Sequence, residues 1–75
     1  MSRDAKLTLK LSNGAITARE LRALLEMRGW HLERTRGSHE FWVRGTQTFV
    51  LATHSKDLKR YQIKQAQQLL LTGEI

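Results

Sequence analysis

The sequence predicts a small α+β domain in the order helix, three strands, helix. Three observations carry this prediction: a capping box starts a helix at residue 17, the apolar period changes from 3.6 to 2 after residue 29, and helical spacing returns near residue 60. A chain of 75 residues holds one domain with one small core. We therefore expect a single domain over residues 17–73, with both helices on one face of a three-stranded antiparallel sheet.

The first helix has both of its ends marked in the sequence. Thr17 and Glu20 have the spacing of a capping box, and the apolar residues after them recur at helical spacing. Gly29 fits the left-handed position that follows a last helical turn, and Trp30 can fold back on the helix as in a Schellman motif. We expect a helix over residues 18–28, with Trp30 in the core.

Three short strands follow this helix. The segment WHLERTR alternates apolar and polar residues, HEFWVR is rich in aromatic and β-branched residues, and TFVLAT is typical of a buried strand. Turn signals separate them at residues 37–38 and 44–47, so the strands must run antiparallel. After residues 55–57 break the pattern, apolar residues return to helical spacing until Gly73, which predicts the last helix.

The side of the sheet that Trp42 faces is open to two interpretations. If Phe41 and Val43 point towards the helices, alternation places Glu40, Trp42 and Arg44 on the open face. A tryptophan between charges there could stack on a base or seat a protein partner. The alternative puts Trp42 in the core and Phe41 on the open face.

Residues 1–16 precede the predicted domain. Leucines alternate with lysine and threonine over residues 6–11, and a turn signal follows at residues 12–14. This pattern predicts either an additional edge strand over residues 6–11 or a disordered N-terminal arm.

Composition limits the classes of function. Thirteen Lys or Arg against seven Asp or Glu give a formal charge of +6, which favours an anionic partner such as nucleic acid. The chain has no cysteine, and its three histidines lack the spacing of zinc ligands. Its start has no apolar core of a signal peptide, and no apolar run is long enough to cross a bilayer. We expect a cytoplasmic protein without metal, cofactor or membrane contact.

Three short motifs have a distinctive order and spacing. They are Gly29-Trp30 at the start of the first strand, the triplet Gly37-Ser38-His39, and His54 followed by a basic segment up to Lys59. With these motifs, the segment 21–71 resembles the HicA family of small toxins. The resemblance implies a ribosome-independent mRNA interferase with a fold like that of double-stranded-RNA-binding domains. It also implies a type II toxin–antitoxin system with a HicB-type antitoxin as partner.

The resemblance implies that His39 is the catalytic residue. An imidazole with a pKa of about 6.5 can accept the proton of a ribose 2′-hydroxyl or donate one to the leaving 5′-oxygen. Ser38 can offer a hydroxyl or a backbone N–H to a phosphate, and cationic side chains can offset the developing charge. We expect the RNA-binding residues to be Arg36, Ser38, Lys56, Lys59 and Arg60.

The other two histidines have different expectations. His54 follows the third strand and is a candidate for a second proton-transfer group, although a structural hydrogen bond would explain it equally well. His31 lies among polar positions of the first strand and is expected to face solvent without a role in catalysis.

Two other classes of function fit the same order of elements. One is a non-catalytic module that recognises RNA by shape through its phosphates and 2′-hydroxyls. The other is a small interaction domain that is merely basic. A nuclease needs His39 for activity, whereas a binding module needs Lys56, Lys59 and Arg60 and is indifferent to His39.

Overall fold

The computed structural model describes residues 2–52 and 58–72. Its elements are α1 (Arg3–Ser12), α2 (Ala18–Met27), β1 (His31–Arg36), β2 (His39–Arg44), β3 (Gln47–Ala52) and α3 (Arg60–Gln67), which continues as a π-helical segment over Gln68–Thr72. The strands form one antiparallel sheet in the order β1-β2-β3. The predicted α+β class and the order helix, three strands, helix are confirmed, with a further helix at the N-terminus.

Helix α2 begins and ends as its sequence predicts. The Thr17 hydroxyl accepts a hydrogen bond from the Glu20 backbone N–H at 3.2 Å, and the Glu20 carboxylate accepts one from the Thr17 N–H at 3.0 Å. At the other end, Gly29 has φ +88°, and the Trp30 N–H donates to the Leu25 carbonyl at 2.9 Å. This is the 6→1 bond of a Schellman motif, and it directs the Trp30 side chain into the core.

Residues 3–12 form a helix, so the prediction of an edge strand over residues 6–11 or a disordered arm over residues 1–16 is wrong. Ser2 caps the helix by accepting a hydrogen bond from the Ala5 N–H. Leu7 and Leu11 are buried, whereas Leu9 is 51% exposed. Three leucines at every second position fit the strand period of 2. They also fit the helix period of 3.6, because positions four apart lie on the same face of a helix. Burial of Leu7 and Leu11 in the common core selects the helix.

The register of the sheet settles which face Trp42 occupies. Trp42 lies opposite Leu32 of β1 and Phe49 of β3, and it is 3% exposed in the core on the helix side. The prediction that Trp42 lies on the open face is therefore wrong, and the alternative with Phe41 on that face is correct. Its indole Nε1 donates to the Glu40 carboxylate at 3.1 Å, so the buried ring keeps a partner for its polar atom.

All three helices contribute to one core against the sheet. The buried apolar residues that form one cluster are Leu7, Leu11, Ile16, Leu21, Leu24, Leu25, Trp30, Trp42, Phe49, Leu51, Ala66 and Leu70. Strand β1 contributes none of them, since all six of its residues are exposed. The helices therefore cover β2 and β3, and β1 extends beyond them as an exposed edge. Among residues 2–52 and 58–72, no helix has the length and apolar character required to span a membrane.

Candidate functional site

The β1–β2 hairpin fixes the position of His39. Arg36 and His39 are directly opposite in the register, so Gly37 and Ser38 are the two central residues of the turn. Gly37 has φ +59°, whereas φ of Ser38 is negative, as for every described residue other than glycine. A positive φ at the first central residue alone is the signature of a type II′ turn. A side chain at Gly37 would meet no atom within 4 Å, so the backbone conformation and not space requires the glycine there. The turn makes His39 the first residue of the central strand.

The open face of the sheet is basic and carries His39. Side chains directly opposite in an antiparallel register share a face, so this face comprises three rows across the strands. The rows are Arg36, His39 and Ala52; Arg34, Phe41 and Val50; and His31, Val43 and Thr48. They contain two arginines, two histidines and no acidic residue. The face therefore presents positive charge around His39.

Arg36 and His39 are neighbours in the first row, and both are exposed to solvent. Ser38 in the turn between them is half-buried. Directly opposite residues have Cβ atoms about 5 Å apart, so the guanidinium can reach a phosphate group that contacts the imidazole. The hairpin thus brings together Arg36, Ser38 and His39, which are three of the residues that the sequence predicts for the site.

In the second row a guanidinium covers an aromatic ring. The Cζ atom of Arg34 lies 4.7 Å from the centroid of the Phe41 ring. Phe41 is half-buried and Arg34 is exposed. A cation–π contact of this kind holds the arginine side chain against the sheet.

Glu40 anchors the start of β2 on the opposite face. Arg22 of α2 donates from Nε to both carboxylate oxygens of Glu40, at 2.9 and 3.1 Å, and Trp42 donates to one of them. Partial burial raises the pKa of Glu40, but the hydrogen bonds from Arg22 and Trp42 and the charge of Arg22 outweigh it, so the pKa lies below its ordinary value. The carboxylate is therefore ionised at neutral pH. It ties the residue next to His39 to the helix layer.

Gln62 of α3 holds the third strand in place. Its side chain is buried, with Nε2 donating to the Val50 carbonyl and Oε1 accepting from the Ala52 N–H, both at 2.8 Å. The amide thereby pairs the outer edge of β3 as a neighbouring strand would. Ala52 is directly opposite His39, so α3 supports the end of the sheet that carries the candidate site.

Comparison with known protein families identifies the chain. Residues 18–70 match the family model described as the HicA toxin of bacterial toxin–antitoxin systems, which is more than half of the chain. The chain belongs to the HicA toxin family. It is accordingly a toxin of a toxin–antitoxin system. The match begins at the first residue of α2, so α1 lies outside the matched segment. Comparisons with curated proteins and with solved structures gave no significant match.

Two further predicted site residues of this HicA toxin, Lys59 and Arg60, lie at the start of α3. Lys59 precedes the helix and Arg60 is its first residue, and both are exposed. Arg60 lines a shallow groove with Asn13 and Lys64. The predicted RNA-binding residues that the structure describes therefore form two groups, one at the β1–β2 hairpin and one at the start of α3. Lys56 and His54 lie outside the described residues.

Sequence reasoning missed three residues that support the candidate site, namely Arg22, Glu40 and Gln62. Alternation along β2 predicts that Glu40 and His39 lie on opposite faces, but it does not say which of the two faces the helices cover. The partners Arg22 and Gln62 had no such signal, since each is one of several polar residues on its helix. Among residues 2–52 and 58–72, no group of three or more histidine, aspartate or glutamate side chains could hold a metal ion.

Proposed function

We propose that this HicA toxin is an mRNA interferase that cleaves RNA without a metal ion and uses His39 as its catalytic residue. The observation that supports this proposal best is the position of His39. Its imidazole is exposed directly opposite Arg36, on a face whose paired register positions carry arginine and histidine but no acidic residue. An RNA phosphate attracted by Arg36 would therefore lie next to a group that transfers protons near neutral pH.

The proposed reaction is a transesterification within the RNA strand. His39 accepts the proton of a ribose 2′-hydroxyl, and the 2′-oxygen forms a bond to the adjacent phosphorus. The bond from phosphorus to the 5′-oxygen breaks, and that oxygen takes up a proton. The products are a 2′,3′-cyclic phosphate and a free 5′-hydroxyl. His54 remains the candidate for the group that protonates the leaving oxygen.

The other residues of the face have supporting roles in this proposal. The Arg36 guanidinium binds the phosphate and offsets the charge that develops on its oxygens. Ser38 offers its hydroxyl or its backbone N–H to the same group. Glu40 and Gln62 fix β2 and β3 beneath them, so His39 is carried by a supported strand and not by a mobile loop.

Substitution of His39 tests the proposal against a matched histidine. His31 lies two rows away on the same open face, so His31→Ala controls for the loss of an imidazole from this surface. We expect wild type and His31→Ala to cleave single-stranded RNA in the presence of EDTA, and His39→Ala to be inactive with unchanged thermal unfolding. A 2′-deoxy substitution at the cleaved position should block the reaction. Cleavage by His39→Ala at the wild-type rate would refute the assignment.

An RNA-binding module without activity would give a different result. Wild type and His39→Ala would then bind RNA equally, and neither would cleave it. Substitutions at Lys59 and Arg60 would weaken binding in both proteins. The comparison of binding with cleavage in the same variants therefore separates the two functions.

We also infer that the partner of this toxin is a HicB-type antitoxin that acts in the cytoplasm by covering His39. The chain carries a charge of +6, and the open face has no acidic residue at its register positions. An acidic partner would associate quickly with such a surface and exclude RNA from it.

A further inference from the structure

We propose that Arg34 and Phe41 form a stacking site beside His39 for the unpaired base next to the cleaved bond. The inference rests on the proposed function and adds a position that binds a base. It assigns a specificity-determining role to the second row of the open face.

A β-bulge is what brings Arg34 to this position. The register pairs Leu32 with Trp42 and then Arg34 with Phe41, so Glu33 has no directly opposite partner. Without the extra residue, Glu33 would lie opposite Phe41 and Arg34 would turn to the helix side. The bulge therefore pairs Arg34 with Phe41, and the Arg34 guanidinium lies over the ring on the open face. Bulges that redirect a side chain in this way are common beside active sites.

The Arg34–Phe41 contact provides a flat surface. The guanidinium lies over the Phe41 ring, with its Cζ 4.7 Å from the ring centroid. The ring is half-buried and supports the guanidinium from below, while Arg34 itself is exposed. Nucleobases stack on guanidinium planes as well as on aromatic rings, and the N–H groups at the rim remain available to phosphate oxygens. A lysine at this position would supply the charge without the plane.

The distance to His39 suits neighbouring parts of one nucleotide chain. Phe41 is two residues after His39 on β2, so the two rows are about 6.8 Å apart along the strand. A phosphate held by Arg36 and His39 would therefore have its adjacent base within reach of Arg34. Base faces are hidden in the stack of a duplex, so a site that uses them selects unpaired RNA.

A thermodynamic cycle between the protein and the RNA tests the contact. The substrates are a short unstructured RNA and the same RNA with a single abasic position moved along it. For wild type, we expect one abasic position next to the cleaved bond to lower kcat/KM about tenfold, the loss typical of one stacked base. Arg34→Lys should lower kcat/KM on the intact RNA by a similar factor. On that abasic RNA, kcat/KM of Arg34→Lys should equal its value on the intact RNA. Its salt dependence should equal that of wild type.

Two further variants make the test specific. Phe41→Leu retains an apolar side chain but not the ring, and we expect the same loss as for Arg34→Lys, with cooperative unfolding preserved. Arg44→Lys is the matched control. Arg44 is an exposed arginine at the far end of β2, the strand that carries Phe41. This variant should leave kcat/KM and the abasic effect unchanged.

The outcomes distinguish failure of this inference from failure of the proposed function. If the losses from the abasic position and from Arg34→Lys multiply, the base and the guanidinium are not in contact, and the inference is overturned while the nuclease remains. If wild type does not cleave any RNA, the proposed function fails. The same cycle measured as the Kd for RNA then tests the stacking site alone. If the double change weakens binding no more than either single change, the stacking site is supported. If the two losses of affinity multiply, it is overturned.

Discussion

Arg28 and Asp4 are joined by two hydrogen bonds although 24 residues separate them in the sequence. The Arg28 Nε donates to Asp4 Oδ2 at 3.1 Å, and Nη2 donates to Oδ1 at 3.4 Å. The same guanidinium donates to the Thr8 hydroxyl at 2.8 Å and to the Leu70 carbonyl at 3.1 Å. One side chain at the end of α2 thus connects α1 with the π-helical segment. The helix that lies outside the family match is built into the domain by this contact.

Removal of this guanidinium should destabilise the whole domain. We expect Arg28→Ala to lower the free energy of unfolding in urea by about 2 kcal/mol, because several hydrogen bonds involving charged groups are lost at one partly buried position. Arg19→Ala removes an exposed arginine from the same helix and should change this free energy by less than about 0.5 kcal/mol. Equal effects of the two substitutions would show that the Arg28 contacts contribute nothing.

The sequence predicted the elements best where their ends carry chemical signals. The capping box at Thr17 and the glycine at residue 29 predicted α2 to within one residue, and turn signals placed all three strands. The segment with Leu7, Leu9 and Leu11 was misassigned because three leucines cannot distinguish period 2 from period 3.6. Only the tertiary packing of α1 distinguishes them.

The candidate site was predicted where a motif marks it and missed where the register decides it. Gly37, Ser38 and His39 form a motif that is visible in the sequence. The facing of Phe41 and Trp42 depends on which aromatic residue fills the core, and both choices satisfy alternation. The bulge that redirects Arg34 has no glycine to mark it, so the pairing of β1 with β2 had to be observed.

The ion pair of Glu40 with Arg22 makes the free energy of unfolding depend on pH. The folded pKa of Glu40 is below its ordinary value of 4.5, so its stabilising contribution is complete above that pH and is lost as the pH falls through the folded pKa. We expect Glu40→Gln to lower the free energy of unfolding by about 2 kcal/mol at pH 7. The difference from wild type should shrink as the pH falls below 4.5. Glu26→Gln, at an exposed carboxylate of α2, is the control and should change little. A difference that stays constant between pH 7 and pH 3 would contradict this role for Glu40.

The amide of Gln62 should protect the outer edge of β3. Gln62→Ala leaves the Ala52 N–H and the Val50 carbonyl without their partner, and we expect a loss of about 2 kcal/mol in stability. Hydrogen exchange at the Ala52 amide should accelerate more than exchange elsewhere in β3. Gln65→Ala, at an exposed position of the same helix, should have neither effect. Unchanged exchange at Ala52 in Gln62→Ala would contradict the proposed support.

Salt dependence can assign RNA binding to the two groups of basic residues. Each phosphate contact to a single strand contributes about 0.7 to the slope of log K against log salt. In the inactive His39→Ala background, Arg36→Gln should flatten this slope by about that amount, and neutral substitutions at Lys59 and Arg60 should flatten it further. Binding should weaken across RNA sequences, since phosphate contacts carry no base information. A slope that is unchanged by the substitutions at α3 would confine binding to the open face. Lys56, which lies outside the described residues, is tested in the same series.

Control of the toxin should depend on competition for the open face. Expression of wild type alone should arrest growth, and co-expression of its acidic antitoxin should relieve the arrest, because the antitoxin and RNA cannot occupy the face together. His39→Ala should be harmless and should still bind the antitoxin, since one imidazole is a small part of a protein interface. Arg34→Gln together with Arg36→Gln should weaken antitoxin binding mainly through a slower association rate that depends on salt. If this double variant binds the antitoxin as fast as wild type, the antitoxin occupies another surface, and inhibition cannot be simple exclusion of RNA from His39.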